Sequence, residues 1–193
     1  MLKRLYDRVM GLAAHRRAAA LLALVSFAES SVFPIPPDVL LVPMVLAARR
    51  RALRLALICT AASVAGGLAG YGIGFFLFDA VGRPLLELYG YMAEFSVFQS
   101  WYNERGLLIV FVAGLTPLPY KVFTIASGVT GLDLAAFTVG SILSRGLRFG
   151  VEAALLWRFG PPIRDFIERH LGKVMTAAVA LLLGGFVLAR WLA

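Results

Sequence analysis

The chain has 193 residues, 60% hydrophobic and only 16% charged, with a mean hydropathy of +0.82. Soluble domains are about half apolar and about a quarter charged, so this composition excludes an ordinary soluble domain and calls for a bilayer as solvent. The net charge of +8 does not indicate nucleic acid, because the basic residues sit at the edges of apolar runs, as in membrane proteins.

Residues 1–17 open the chain. Leu2, Leu5, Tyr6, Val9 and Ala13 fall on one helical face, with Lys3, Arg4 and Arg8 on the other. This predicts a basic amphipathic helix lying on the membrane surface. The rival reading is a signal peptide with Ser26-Phe27-Ala28 as its cleavage site.

The apolar run from Ala18 to Ala28 is shorter than the roughly 20 residues a crossing helix needs. It meets Glu29-Ser30-Ser31 and then Pro34-Ile35-Pro36-Pro37-Asp38, after which apolar sequence resumes to Ala48. Each proline removes a backbone donor and fixes φ, so the spacing predicts two half-helices around a break. Arg16 and Arg17 precede the segment, and Arg49, Arg50, Arg51 and Arg54 follow it. Positive flanks stay cytoplasmic. Residues 18–48 are therefore expected to enter the membrane and return on the same side, as a re-entrant hairpin.

A first full span is expected over residues 55–78, where Ala62, Gly66, Gly70 and Gly74 recur on one face. Small residues at this spacing let helices approach closely in lipid, and helix packing is preferred here to a pore lining. Residues 83–106 mix Tyr89, Tyr91, Phe95, Phe98, Trp101 and Tyr102 with Glu87, Glu94, Glu104 and Arg105, which suits a helix at the opposite interface. Residues 107–128 form the second broken segment, centred on Thr116-Pro117-Leu118-Pro119-Tyr120-Lys121. A second full span covers 134–157. Residues 158–193 are a basic connection followed by a final helix from Val174. Cys59 is the sole cysteine, which excludes an intrachain disulfide or a thiolate metal site. His15 and His170 sit in charged flanks and read as interfacial residues.

The two broken segments match. Phe33-Pro34-Ile35-Pro36-Pro37-Asp38-Val39 aligns with Thr116-Pro117-Leu118-Pro119-Tyr120-Lys121-Val122, and Ala65–Gly70 aligns with Ser144–Phe149. One span separates the copies, so the second hairpin should enter from the opposite side. Related units of opposite orientation, each with a broken helix, are typical of secondary transporters. The expected fold is thus an all-α membrane protein: an inverted repeat of re-entrant helical hairpin plus transmembrane helix, with amphipathic interfacial helices. The copies differ in charge. Lys121 stands where Asp38 stands, while Gly66 and Ala69 become Arg145 and Arg148.

The chemistry-bearing residues lie at the breaks and on the second span. Glu29 and Asp38 bracket the first break. A charge at bilayer depth costs about 2.5–3.5 kcal/mol even on lenient scales, so two carboxylates there point to proton binding or pairing with a cation. Structural alternatives are an ion pair for Glu29 and a helix N-cap for Asp38. Arg145, Arg148 and Glu152 share one helical face with Ser141 and Ser144 nearby. Arginine binds phosphate through a planar fork and keeps its charge at any depth. Lys121 is a third phosphate-binding candidate, with Tyr120 and Glu152 secondary. The alternative is an internal network, Arg148 with Glu152 and Arg145 with Glu29 or Asp38. The hairpin breaks themselves are Pro34, Pro36, Pro37, Pro117 and Pro119. No nucleophile elbow, zinc-protease motif or P-loop occurs, and neither an enzyme activity, a cofactor nor a metal is expected.

Phe27-Ala28-Glu29-Ser30-Ser31-Val32-Phe33-Pro34-Ile35-Pro36-Pro37-Asp38, the stretch Gly66–Gly74, and Pro117-Leu118-Pro119-Tyr120-Lys121-Val122-Phe123-Thr124-Ile125-Ala126-Ser127-Gly128 resemble the DedA family (VTT domain), especially its YqaA-like branch. The resemblance runs over roughly residues 20–155. It implies a multi-pass bacterial inner-membrane protein with opposed re-entrant hairpins that transports lipids, either undecaprenyl phosphate or phospholipids. The family's membrane acids map to Glu29 and Asp38. Many members carry arginines in the second hairpin. Here Gly114 stands at the first, and Lys121 replaces the second with a one-residue shift, leaving Arg145 and Arg148 to compensate. The expected function is transfer of a phosphate-bearing lipid between leaflets, coupled to protons through Glu29 and Asp38. An ion-coupled small-solute carrier and a non-transporting membrane scaffold are the alternatives. Membrane lipids are the expected partners, nucleic acid is not, and a homo-oligomer stays open.

Overall fold

Proline and glycine set the punctuation of this helical chain. The structure, a computed structural model, describes residues 18–33, 35–116, 118–160 and 162. The expected surface helix 1–17, the final helix, most of the basic connection, Pro34 and Pro117 lie outside the described residues. Helix α1 (Ala18–Ser31) ends before the first proline cluster, and α2 (Asp38–Ala47) starts directly after it. A 3₁₀ turn, Arg49–Arg51, leads into α3 (Ala52–Leu77). A π-helical segment, Phe78–Gly82, joins α3 to α4 (Arg83–Tyr89). Next come α5 (Met92–Glu104), α6 (Gly106–Leu115) and α7 (Tyr120–Val129), then α8 over residues 134–160. No strand occurs among the described residues.

The order of short helix, break, short helix and long helix appears twice. It runs once through α1, α2 and α3, and again through α6, α7 and α8. The helix containing residues 55–78 is longer than that range, running unbroken from Arg49 to Tyr89 over 41 residues. At 1.5 Å per residue this is about 60 Å, roughly twice the hydrocarbon thickness of a bilayer. It is therefore longer than a single crossing requires. Gly90, at φ +74°, closes α4. A left-handed residue there lets the Tyr91 amide reach the Leu86 carbonyl at 2.9 Å, which only glycine does without a Cβ penalty.

The backbone at the first break is nearly self-sufficient. The Val32 and Phe33 amides donate to the Ala28 carbonyl, and Leu40 and Leu41 donate to that of Pro37. Three of the four residues from 34 to 37 are prolines with no N–H to orphan. A proline-rich break therefore exposes fewer unsatisfied donors than another sequence would in a medium where each costs several kcal/mol. Val32, Phe33 and Ile35 point outward while Pro37 is fully buried, so one flank of this tip is apolar and open and the other is packed.

The two broken segments pack toward opposite ends of α3. At one end Leu46 of α2, Arg49 and Gly160 of α8 meet, and Leu22, Leu41, Val45, Ala56, Phe149 and Ala153 make a core. At the other end the Tyr71 hydroxyl donates to the Leu132 carbonyl at 2.6 Å, and Gly106 of α6 packs on the Leu132 side chain. Here Tyr102, Val110, Ala113, Tyr120 and Phe137 form a second core. Helix α5 is tied to this end by Gln99 and Asn103, whose amides both donate to the Thr130 carbonyl at 2.7 and 2.9 Å. Asp133 caps α8 by accepting from the Ala136 amide at 2.8 Å, a standard use of aspartate at a helix start.

The glycine stripe on α3 lets both hairpins approach it. A Cβ on Gly66 would strike the Phe27 backbone of α1, and one on Gly74 would strike the Ile125 backbone of α7. Close backbone contact through small residues is how helices pack where lipid removes the hydrophobic drive. The outward surface carries long apolar stripes. Leu53, Leu57 and Phe76 on α3 and Leu143, Leu147, Val151 and Leu155 on α8 are all exposed. An apolar face this continuous suits hydrocarbon and does not suit water.

Candidate functional site

The tips of the hairpins meet beside the middle of α3, where Thr124 Oγ1 of α7 donates to the Ser30 carbonyl of α1 at 3.2 Å. Arg145 of α8 reaches into this junction and is fully buried. Its Nη2 donates to Glu29 Oε2 at 2.5 Å and to Ser30 Oγ at 3.2 Å, and its Nε donates to Ser63 Oγ at 2.8 Å. The two serine hydroxyls are 2.6 Å apart, so they belong to one connected network. The Tyr120 ring lies under the guanidinium, 4.2 Å from centroid to Cζ. Its hydroxyl donates to Ser141 Oγ at 2.5 Å. A cation stacked on an aromatic face and hydrogen-bonded to a carboxylate is well held in a dry site. The two serines take one bond from Nε and one from Nη2, which lowers the desolvation cost of those donors.

One helical turn along α8, Arg148 Nη2 donates to Asp38 Oδ2 at 2.5 Å. This pair is more open, with about a quarter of each side chain exposed. Asp38 sits in the first turn of α2 and does not cap it, since the cap position is Pro37 and carries no side-chain hydrogen bond. Its second oxygen, Oδ1, is buried and without a hydrogen-bond partner. Glu152, one further turn along, lies near Asp38 and Arg148. Three carboxyls and two guanidiniums thus line one side of α8.

Of the residues singled out in the sequence, Glu29, Asp38, Arg145, Arg148, Glu152 and Tyr120 are brought together here. Arg148 pairs with Asp38 rather than with Glu152. Lys121 is not joined to them. It forms no ion pair among the described residues, and its carbonyl accepts from Thr124 Oγ1 at 2.9 Å. Pro36 and Pro37 set the start of α2, and Pro119, with φ −68° and ψ 95°, sets the start of α7. Sequence reasoning missed Ser63. It is an isolated serine inside an apolar span, and its only signal was its place three residues before Gly66. Ser30 was quoted within a motif but given no role. No group of potential metal ligands occurs among the described residues.

A family profile, the VTT domain, matches residues 35–158. That range holds Asp38, Tyr120, both arginines and Glu152, while Glu29 lies just before it. An uncharacterized protein of Haemophilus influenzae is 40% identical over 179 residues, covering 91% of this chain and 93% of that protein. An uncharacterized protein of Histophilus somni is 38% identical over 183 residues, covering 93% and 95%. No solved structure matches the chain.

Proposed function

The chain is a member of the VTT-domain (DedA) family of membrane proteins, a family associated with membrane transport and homeostasis, and from that premise we propose that it carries a phosphate-bearing lipid between leaflets of a bacterial inner membrane. The observation that carries this reading is Arg145, a fully buried arginine bonded to Glu29 where the two hairpin tips meet. A permanently charged, five-donor side chain in that position is costly unless paired. A phosphate oxygen is the natural competitor for its carboxylate partner, because arginine binds both in the same fork geometry.

In the empty carrier, Glu29 and Asp38 occupy Arg145 and Arg148. Protonation removes the charge that holds each pair, and the freed guanidinium accepts a lipid phosphate. Loss of the proton restores the carboxylate, which competes the phosphate off. Proton binding and headgroup binding are thus exchanged on the same two arginines. The half-helices on either side are short and anchored to α3 through close glycine contacts, so each hairpin acts as a separate body against a common post. In the membrane they are re-entrant, with the lipid tail remaining in hydrocarbon beside them.

The test is reconstitution in proteoliposomes with a fluorescent undecaprenyl phosphate and, in parallel, a fluorescent phospholipid. Leaflet exchange is read by quenching from outside. Exchange of at least one of these lipids, lost on Arg145→Ala, is expected. No exchange of either lipid, or exchange unaffected by Arg145→Ala, overturns the proposal.

A further inference from the structure

A second feature lies on nearly the opposite side of α8 from Arg145 and Arg148. Gly150, Ala153, Ala154 and Trp157 of α8 face Ala52, Leu53 and Ala56 of α3 across a groove of about 240 Å³, with Arg49 and Arg50 at its mouth. From Gly150 to Trp157 it follows the helix for seven residues, about 10 Å at 1.5 Å per residue. Its walls are apolar. Its floor at Gly150 is open, since a Cβ there would meet no atom within 4 Å.

The two arginines at the mouth differ. Arg49 is committed to the protein, donating through Nε and Nη2 to the Trp157 carbonyl, and it packs against Gly160. It pins the end of α8 to the start of α3 and holds the mouth in shape. Arg50 is exposed and forms no ion pair among the described residues. Arg51 and Arg54 follow it on the same turn region. An apolar slot beside a cluster of arginines, of which Arg50 has no acidic partner among the described residues, is complementary to one molecule class, an acyl chain carrying an anionic headgroup.

We propose that this groove binds one anionic phospholipid of the leaflet next to Arg49–Arg51, with an acyl chain between α3 and α8 and its phosphate on Arg50. The site is separate from the Arg145 network, and it binds lipid whether or not the protein translocates any. Retention is measured at equilibrium, so failure here and failure of the transport proposal are distinguishable.

The experiment is native mass spectrometry of the detergent-purified full chain after addition of phosphatidylglycerol or phosphatidylcholine. The wild type is expected to keep one phosphatidylglycerol under activation that strips the rest, in preference to phosphatidylcholine. Arg50→Gln lowers that preference about fivefold, the effect of one basic residue at the headgroup layer. Gly150→Leu starts from a position whose Cβ meets no atom within 4 Å and places its branched end in the groove, so the folded protein, checked by circular dichroism, is expected to lose retention of both lipids. Equal retention of the two lipids by wild type overturns the proposal, as does unchanged retention in a folded Gly150→Leu protein. Cross-linking of Gly150→Cys to a cysteine placed within residues 174–193 would seat the chain's own C-terminal segment in the groove and also overturn it.

Discussion

Glu29→Gln is the sharpest perturbation of the buried network, because it removes one charge and almost no volume. Arg145 keeps only 1% of its side-chain surface exposed and cannot reach water, whereas Glu29 keeps 15%. Breaking a buried ion pair from one side costs about 3–5 kcal/mol, mostly because the other charge is left uncompensated. The lower end applies, about 3 kcal/mol, since the Ser30 and Ser63 hydroxyls and the Tyr120 ring still face the guanidinium. Arg145→Met leaves a carboxylate that is less deeply buried and still accepts from the Ser30 hydroxyl, so its cost is smaller. Combining the two changes leaves neither charge behind. The double variant is therefore expected to lie about 2 kcal/mol above the sum of the singles, within the range seen for residues in contact. Unfolding free energies from SDS titration in mixed micelles, followed by circular dichroism, give all four corners of the cycle. A Glu29→Gln protein within about 0.5 kcal/mol of wild type, or a strictly additive double variant, would refute the argument that the pair is buried and coupled.

Gly66→Ala places a Cβ against the Phe27 backbone, which cannot swing aside as a side chain can. A loss of about 1–3 kcal/mol is expected, seen as a lower Tm in detergent. Gly72→Ala on the same helix meets nothing within 4 Å and should hold or raise Tm through the helix propensity of alanine; equal shifts for both would remove close packing as the cause. Tyr120→Phe removes the donor to Ser141 but keeps the ring under Arg145. Ser141 still donates to the Phe137 carbonyl at 2.7 Å, so the cost is about 1 kcal/mol. Lipid exchange should survive in Tyr120→Phe and fall in Tyr120→Leu, which lacks the aromatic face. Identical exchange rates for the two variants would show that the face does not matter.

The positions of the breaks were legible because proline acts locally. Pro36, Pro37 and Pro119 fix φ and remove donors whatever the tertiary context, so the half-helices could be placed from sequence. The glycine stripe was legible as a packing face for the same reason, as a four-residue period has one geometric meaning on a helix. Pairing was less so. Arg145 and Arg148 were visible as a face, but which acid each meets depends on how α1 and α2 lie against α8, and a one-turn difference exchanges the partners. The reach of the first long helix past residue 78 was hidden because its apolar pattern ends there while the hydrogen bonding continues through a π segment. Ser63 carried no signal beyond its place three residues before Gly66. A lone serine in an apolar helix usually bonds its own preceding turn, and only the junction of α1, α3 and α8 makes it a ligand of Arg145.

The repeat explains why the charges meet where they do. Two copies of one unit, set antiparallel so that the start of α3 lies by the end of α8, bring equivalent points together near the centre. If both copies carried the same residue there, like charges would face each other in a dry site, which is destabilising. The chain avoids this by dividing the labour. The first copy keeps small residues, Gly66 and Ala69, on its long helix and places its acids on the hairpin. The second puts Arg145 and Arg148 at the matching long-helix positions. The small residues let α1 close onto α3, as Gly66 does against Phe27, and that approach sets Glu29 within 2.5 Å of Arg145. Asp38 meets Arg148 by the same logic one turn away. Backbone packing and charge pairing are therefore one arrangement, and a substitution that widens the α1–α3 contact should weaken the Glu29–Arg145 pair without touching either residue.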